Sequence, residues 1–98
     1  MIADLGHTFA ERADLPAPSD PPAPSDRVAL QVSFGARVAA LRVERGLSQA
    51  DLSALSGVER SYLASIERGM RNVTLSNIEK LARALGVTLA ELFEGVGG

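Results

Sequence analysis

The sequence SQADLSALSGVERSYLASIERG, at residues 48–69, decides the fold because it reads as two short helices joined by a tight turn. Ser48 is placed to cap the first helix, with Asp51 three residues later completing a capping box. Leu52 and Leu55 are predicted to form its inward face, and a glycine at position 57 suits the turn that follows. The stretch therefore predicts a helix-turn-helix unit.

The second helix of this unit also has an apolar stripe and a residue that ends it. Val58, Leu63 and Ile66 are predicted to be buried, and Gly69 is predicted to end the helix. Two helices this short cannot bury enough apolar surface alone, so they need neighbouring helices. The remaining exposed face of the second helix is a row of polar side chains, which suits insertion into a DNA groove.

Composition limits the protein to one small domain with a tail. The chain has 98 residues and no cysteine, which excludes disulfides, thiolate metal sites and a cysteine nucleophile. No apolar run approaches the roughly 20 residues of a membrane-spanning helix, and the start of the chain lacks the order of a secretory signal. We therefore expect a cytoplasmic protein with no membrane partner.

The net charge of −2 is unusual for a protein that binds nucleic acid, but the charge is unevenly distributed. Residues 1–29 carry two arginines against five acidic residues, whereas residues 30–98 carry eight basic against seven acidic residues. The acidity thus belongs mainly to the N-terminal segment. The rest is only weakly positive, so we expect it to bind random DNA poorly at physiological salt.

Residues 1–28 are predicted to be a tail with a Pro-rich spacer, and residues 29–98 the folded domain. Five prolines fall within residues 16–24, inside an imperfect repeat of PAPSD, which favours a semi-rigid polyproline spacer. Ahead of it, Ile2, Leu5 and Phe9 have a spacing that permits a short amphipathic helix. This segment is either a frayed terminus or an adhesive helix that docks on the domain, on a second subunit or on another protein.

The folded part is predicted to be all-α, with five helices and no strands. The first is expected at about residues 30–45, with Phe34, Val38 and Leu41 facing inward. Thr74 is predicted to cap the fourth helix and Thr88 the fifth. Their apolar stripes consist of Ile78, Leu81, Ala82 and Leu85 in the fourth helix and Leu89, Leu92 and Phe93 in the fifth.

Four short motifs carry a resemblance to a known family: LSQADL at residues 47–52, SGV at 56–58, IERG at 66–69 and LARALGV at 81–87. Together they resemble the lambda-repressor-like helix-turn-helix family, also called the Xre/Cro family. Within it, YL at 62–63, ERG at 67–69, RN at 71–72 and NIEK at 77–80 are similar to restriction-modification controller proteins. The resemblance implies a sequence-specific regulator of transcription that binds double-stranded DNA.

In this family the third helix is the recognition helix, which enters the major groove with its N-terminal end. The resemblance implies that the base-reading residues are Glu59, Arg60, Ser61 and Ser65. Arg60 is the leading base reader, since a guanidinium spans both acceptors of a guanine edge, although a phosphate contact is an equal alternative. Glu59 stands where the family usually has serine or threonine, and its carboxylate would accept from cytosine or repel phosphate.

The resemblance also implies a set of phosphate contacts and one structural ion pair. Family members use a glutamine at the start of the second helix to hold a phosphate, which places Gln49 in that role. The implied phosphate-binding residues are Ser48, Gln49, Tyr62, Arg71 and Asn72. The family commonly pairs an arginine of the first helix with a glutamate of the recognition helix, which implies that Arg42 and Glu67 form an ion pair.

One recognition helix reads only a few base pairs, so we expect a homodimer on a two-fold operator. The fifth helix is the predicted dimer seam, through Leu89, Leu92 and Phe93, unless these residues only close the monomer core. We expect no enzyme activity, cofactor or metal, since the single histidine lies in the tail. We also expect no small-molecule ligand, since no sensory domain follows the predicted fifth helix. The alternative function is a protein-interaction adaptor or antitoxin with the same fold.

Overall fold

Residues 24–97 are described by a computed structural model, in which five helices follow one another. They are α1 (Pro24–Glu44), α2 (Gln49–Ser56), α3 (Arg60–Glu67), α4 (Leu75–Leu85) and α5 (Leu89–Leu92). No strand occurs within these residues, so the predicted all-α architecture is confirmed. The predictions for residues 1–23, which include most of the spacer as well as Ile2, Leu5 and Phe9, concern positions outside the described residues.

Helix α1 begins six residues earlier than the sequence predicted, at Pro24 instead of Leu30. A proline is tolerated at the first helical position because the N–H group it lacks would have no partner inside the helix. Asp26 lies in the first turn, where a carboxylate interacts favourably with the helix dipole. The predicted boundary after residue 28 falls inside α1, and the division of the chain remains a prediction.

The caps of the shorter helices follow the sequence pattern. Ser48 with Asp51 and Thr88 with Glu91 form capping boxes at the starts of α2 and α5, and Thr74 caps α4. Gly57, which ends α2, has a φ of 78°, a left-handed conformation that costs glycine no steric penalty. The local chemistry of capping thus sets where these helices begin and where α2 turns toward α3.

The core contains the inward residues predicted for α1, α3 and α4, together with Leu52 of α2, Val58 of the turn and Leu92 of α5. Leu55 is the exception, since 62% of it is exposed. The prediction that Leu55 faces inward is therefore wrong. It lines an open groove between α2 and α4, beside Lys80 and Arg83, so α4 does not close over this side chain.

Helix α1 crosses α3 so closely that only glycine fits at the crossing. A Cβ atom built on Gly35 would lie 2.1 Å from the carbonyl oxygen of Ile66. Farther along α1, Arg37 donates from Nη2 to the carbonyl oxygen of Glu91 at 2.7 Å, which ties α1 to α5. Helix α1 therefore packs directly against α3 and is hydrogen-bonded to α5.

None of the helices in residues 24–97 is long and apolar enough to cross a membrane.

Candidate nucleic-acid interface

Helix α3 presents one buried and one polar face. Leu63 and Ile66 are fully or almost fully buried, and Arg60 and Ser61 are exposed. The buried face rests on α1 and α2, so the helix cannot turn without breaking apolar contacts. The polar face is therefore held in a fixed orientation at the surface.

Glu59 caps α3 with its side chain. Its Oε1 accepts from the N–H of Ser61 at 3.1 Å and also from the Ser61 hydroxyl. These bonds, from the hydroxyl first and the N–H second, lower the pKa of Glu59, which therefore stays ionised at neutral pH. Because the folded-state pKa is the lower one, the capping contribution is present above the ordinary glutamate pKa and is lost as the pH falls through the lowered value.

The exposed face of α3 continues from Ser61 through Ser65 to Arg68. Ser65 donates its hydroxyl to the carbonyl oxygen of Ser61 at 3.1 Å, and Arg68 Nη2 lies 3.5 Å from the Ser65 hydroxyl oxygen. Arg68 is exposed and was missed as a DNA-binding candidate. The signal was available, since residues 61, 65 and 68 have the i, i+4, i+7 spacing of one helical face.

The loop after α3 brings two of the predicted phosphate-binding residues together. The guanidinium of Arg71 lies over the ring of Tyr62, 5.3 Å from its centroid, in a cation–π contact. Asn72 is exposed next to Arg71. The stacking holds the Arg71 side chain beside α3 without neutralising its charge.

The start of α2 carries the other two phosphate candidates. The Ser48 hydroxyl oxygen accepts from the N–H of Asp51 at 3.0 Å, and Ser48 donates its own N–H to Asp51 Oδ2. Gln49 is the first residue of the helix and donates from Nε2 to Glu67 Oε1 at 2.9 Å. Ser48 thus acts as the helix cap, and the side chain of Gln49 is linked to the end of α3.

The ion pair expected between Arg42 and Glu67 is present. Arg42 donates from Nε to Glu67 Oε2 at 2.7 Å and from Nη2 to Oε1 at 3.0 Å. Its Nη1 donates to the carbonyl oxygen of Leu47 at 2.8 Å, just before the α2 cap. The bonds to Glu67 raise the pKa of Arg42 above its usual value, so the guanidinium is charged at every accessible pH.

Within residues 24–97, the ion pairs separate two groups of arginines. Arg37, Arg42, Arg45 and Arg83 each pair with a glutamate, namely Glu94, Glu67, Glu44 and Glu79. No such pair with a described carboxylate is formed by Arg27 at the start of α1 or by the three arginines of α3 and its following loop, Arg60, Arg68 and Arg71. Three of these four arginines therefore lie on or next to α3, where Glu59 is the one carboxylate without an ion pair, although the net charge of the chain is negative.

Of the three residues predicted for the dimer seam, Leu89 and Phe93 are exposed and Leu92 is not. Leu92 is fully buried in the monomer core, so including it in a seam was wrong. Leu89 is 51% exposed and Phe93 is 39% exposed, although the Phe93 ring stacks on that of Phe34 at 5.2 Å. With Leu75 of α4, which is 83% exposed, they border an apolar groove. Leu92 differs because the four-residue α5 must bury one leucine to close the core.

No group of three or more histidine, cysteine, aspartate or glutamate side chains within residues 24–97 could hold a metal ion.

Comparison with known proteins gives consistent matches. The family HTH_3, described as Helix-turn-helix, matches residues 38–92. Control protein C.MunI of Mycoplasma sp is 43% identical over 68 residues, which are 68% of this chain and 92% of that protein. The structure of the restriction-modification controller protein C.AhdI from Aeromonas hydrophila is 54% identical, with a TM-score of 0.63, over 64% of this chain and 96% of that one.

A third match is to a controller protein bound to DNA. The restriction-modification controller protein C.Esp1396I, as a tetramer in complex with its natural 35 base-pair operator, is 31% identical with a TM-score of 0.64. The match covers 68% of this chain and 88% of that one. The chain is therefore similar to controller proteins in both sequence and fold.

Proposed function

This chain belongs to the helix-turn-helix family, and from that premise we propose that two copies of it bind a two-fold DNA operator and regulate transcription in the manner of a controller protein. The family and these relatives make the chain a DNA-binding regulator and not an enzyme. We place it in the cytoplasm, where operator DNA is accessible. The proposal requires no cofactor or small-molecule ligand.

The observation that carries the proposal is the polar face of α3, surrounded by arginines that pair with no carboxylate of residues 24–97. Arg60 lies at the N-terminal end of this face, and Arg68 at its C-terminal end. Phosphate groups attract such arginines, and a guanidinium also matches the two acceptors of a guanine edge. Arg60, Ser61 and Arg68 are exposed, so this face of α3 is accessible to DNA.

We assign two kinds of contact to the site residues. The N-terminal part of α3 reads base edges, with Arg60 as the principal reader, and Ser61 and Ser65 beside it. The contacts that fix the position of the protein on the DNA backbone come from the start of α2 and from the region of Tyr62: Ser48, Gln49, Tyr62, Arg71 and Asn72. The capping bonds of Glu59 favour a repulsive role for its carboxylate, since its Oε1 already accepts from Ser61.

The second copy is proposed to cover the apolar groove bordered by Leu75, Leu89 and Phe93. This surface is more apolar than an exposed terminal helix needs. A two-fold axis through it would bury the groove of each copy against the other and would present two α3 helices on one side of the dimer. The tetrameric, operator-bound state of C.Esp1396I supports assembly of copies on DNA by this chain.

The proposal is tested by selecting bound duplexes from a random pool with the full chain and with Arg60→Ala. The full chain is expected to select a two-fold site with half-sites about 34–36 Å apart. Arg60→Ala should bind that site about 10–100-fold more weakly, because a bidentate base contact is lost. It should also lose the preference at one base pair in each half-site.

Arg83→Ala is the matched control, since Arg83 is an exposed arginine on α4 that is paired with Glu79. It should select the same site with the same preferences. Selection of no sequence by the full chain would contradict the proposed operator binding. A uniform loss of affinity in Arg60→Ala, without a change in preference, would assign Arg60 to a phosphate instead.

Replacing Glu59 with serine is expected to raise the affinity for random duplex DNA by about threefold, because it removes a negative charge beside the groove. Serine retains an oxygen that caps α3, so the melting temperature should stay within about 2 °C of the original. Fluorescence anisotropy and thermal unfolding measure the two effects.

Glu59→Gln is a second way to remove the charge and should raise the affinity equally. An unchanged affinity in both variants would show that the carboxylate does not face the DNA.

A further inference from the structure

Glu67 lies at the C-terminal end of α3 and its carboxylate receives three hydrogen bonds from two other segments. Two come from Arg42 on α1 and one comes from the side-chain amide of Gln49 on α2. Only 6% of the Glu67 side chain and 16% of the Arg42 side chain are exposed. The carboxylate is therefore oriented by the largely covered guanidinium of Arg42, and it orients in turn the side-chain amide of Gln49.

The bond to Glu67 uses one of the two N–H groups of the Gln49 amide and leaves the second one free to donate. Gln49 is the first residue of α2, where backbone N–H groups have no partner inside the helix. The side-chain donor is thus held beside the end of a helix that already favours an anion. A phosphate at this position would be met by an amide whose rotamer is set beforehand.

We propose that Glu67, itself held by Arg42, is a positioning residue for the contact between Gln49 and a DNA phosphate. The inference rests on the proposed function, which assigns Gln49 to the DNA backbone. Holding the amide in the bound rotamer lowers the entropy lost when the phosphate is bound. Since Glu67 belongs to α3, the bond also fixes the phosphate contact of α2 relative to the base-reading helix.

A double-mutant cycle on operator affinity tests this inference, with the variants Gln49→Ala, Glu67→Gln and the two combined. Each single variant is expected to bind about tenfold more weakly, the effect of one hydrogen bond to a charged acceptor. Glutamine at position 67 keeps one acceptor oxygen for Arg42, and its NH2 group cannot accept from Gln49. The combined variant should bind no more weakly than Gln49→Ala, because Glu67 acts on DNA only through Gln49. Additive losses in the combined variant would overturn the inference.

A second measurement uses operators in which single phosphates are replaced by neutral methylphosphonates. It compares the affinity lost at each phosphate, and general destabilisation of the fold would not change which phosphate matters. The unmodified chain should lose affinity at the phosphate that Gln49 contacts. Gln49→Ala and Glu67→Gln should both be insensitive to the replacement at that position. Sensitivity that persists in Glu67→Gln would overturn the positioning role.

The controls separate this inference from its premise. Glu79→Gln makes the same chemical change in an exposed ion pair and should leave the affinity unchanged. If Glu67→Gln unfolds at the assay temperature, Arg42→Met with Glu67→Met takes its place, since methionine at position 67 offers Gln49 no acceptor at all. An unchanged affinity in Gln49→Ala overturns both the phosphate role and the inference, whereas a loss there without coupling to Glu67 overturns only the inference.

Discussion

Gly35→Ala should lower the free energy of unfolding by about 3–5 kcal/mol, enough to leave a domain of this size only marginally folded. The added Cβ would lie 2.1 Å from the carbonyl oxygen of Ile66 and 3.0 Å from that of Glu67. Both atoms belong to the backbone of α3, so no side-chain rotation relieves the overlap. Helix α1 must move away from α3, which opens the core. Urea unfolding followed by circular dichroism measures the loss.

The same substitution has the opposite effect where a helix has no neighbour. In an exposed helix interior, replacing glycine with alanine stabilises by about 0.5–1 kcal/mol. Ala36→Gly, at the adjacent exposed position of α1, is the control and should cost only about that amount, because it changes helix propensity without a steric overlap. A stabilised Gly35→Ala protein would mean that α1 and α3 do not meet at this point.

The close approach of α1 and α3 at Gly35 could not be predicted from the sequence, whereas the helix starts could. The starts of α2, α4 and α5 could be predicted because Ser48, Thr74 and Thr88 each accept from an amide only three residues away. The close approach at Gly35 depends on residues 31 positions later in the chain, and no local pattern reports such a distance. A glycine inside an otherwise regular helix was the only available sign of it.

Two predictions about the fold, the start of α1 and the burial of Leu55, were wrong because a local pattern does not determine them. The run of prolines predicts a spacer that includes Pro24, because proline disrupts helix interiors, but proline is accepted in the first turn of a helix. Leu55 has the spacing of an inward residue, but its exposure depends on where α4 crosses α2. Helical periodicity predicts which side chains share a face and leaves open how much of that face a neighbour covers.

The candidate site also contains both local contacts, which the sequence can predict, and contacts between distant residues, which it cannot. The capping role of Glu59 involves Ser61, two residues later, and was accessible to local reasoning. The pairing of Arg42 with Glu67 was expected only because of the family resemblance, since 25 residues separate them. The bond between Gln49 and Glu67 was not anticipated at all. It requires the start of α2 and the end of α3 to meet, which the turn at Gly57 alone does not establish.

Replacing Arg42 with methionine is the second substitution with a large expected effect, a loss of about 3–5 kcal/mol in the free energy of unfolding. Methionine fills much of the space of the arginine stem but leaves the Glu67 carboxylate without its charged partner. Only 6% of the Glu67 side chain is exposed, so water cannot replace the two lost hydrogen bonds. Urea unfolding at neutral pH measures the loss.

Arg42→Met combined with Glu67→Met should recover most of that loss, to within about 1 kcal/mol of the original protein or above it. The cost of the single variant comes from an unpaired buried charge, and the second substitution removes that charge. An equal or larger loss in the double variant would show that the pair itself stabilises the domain. Recovery of stability without recovery of operator affinity would instead show that the ion pair is retained for DNA binding, since the double variant leaves Gln49 without its acceptor.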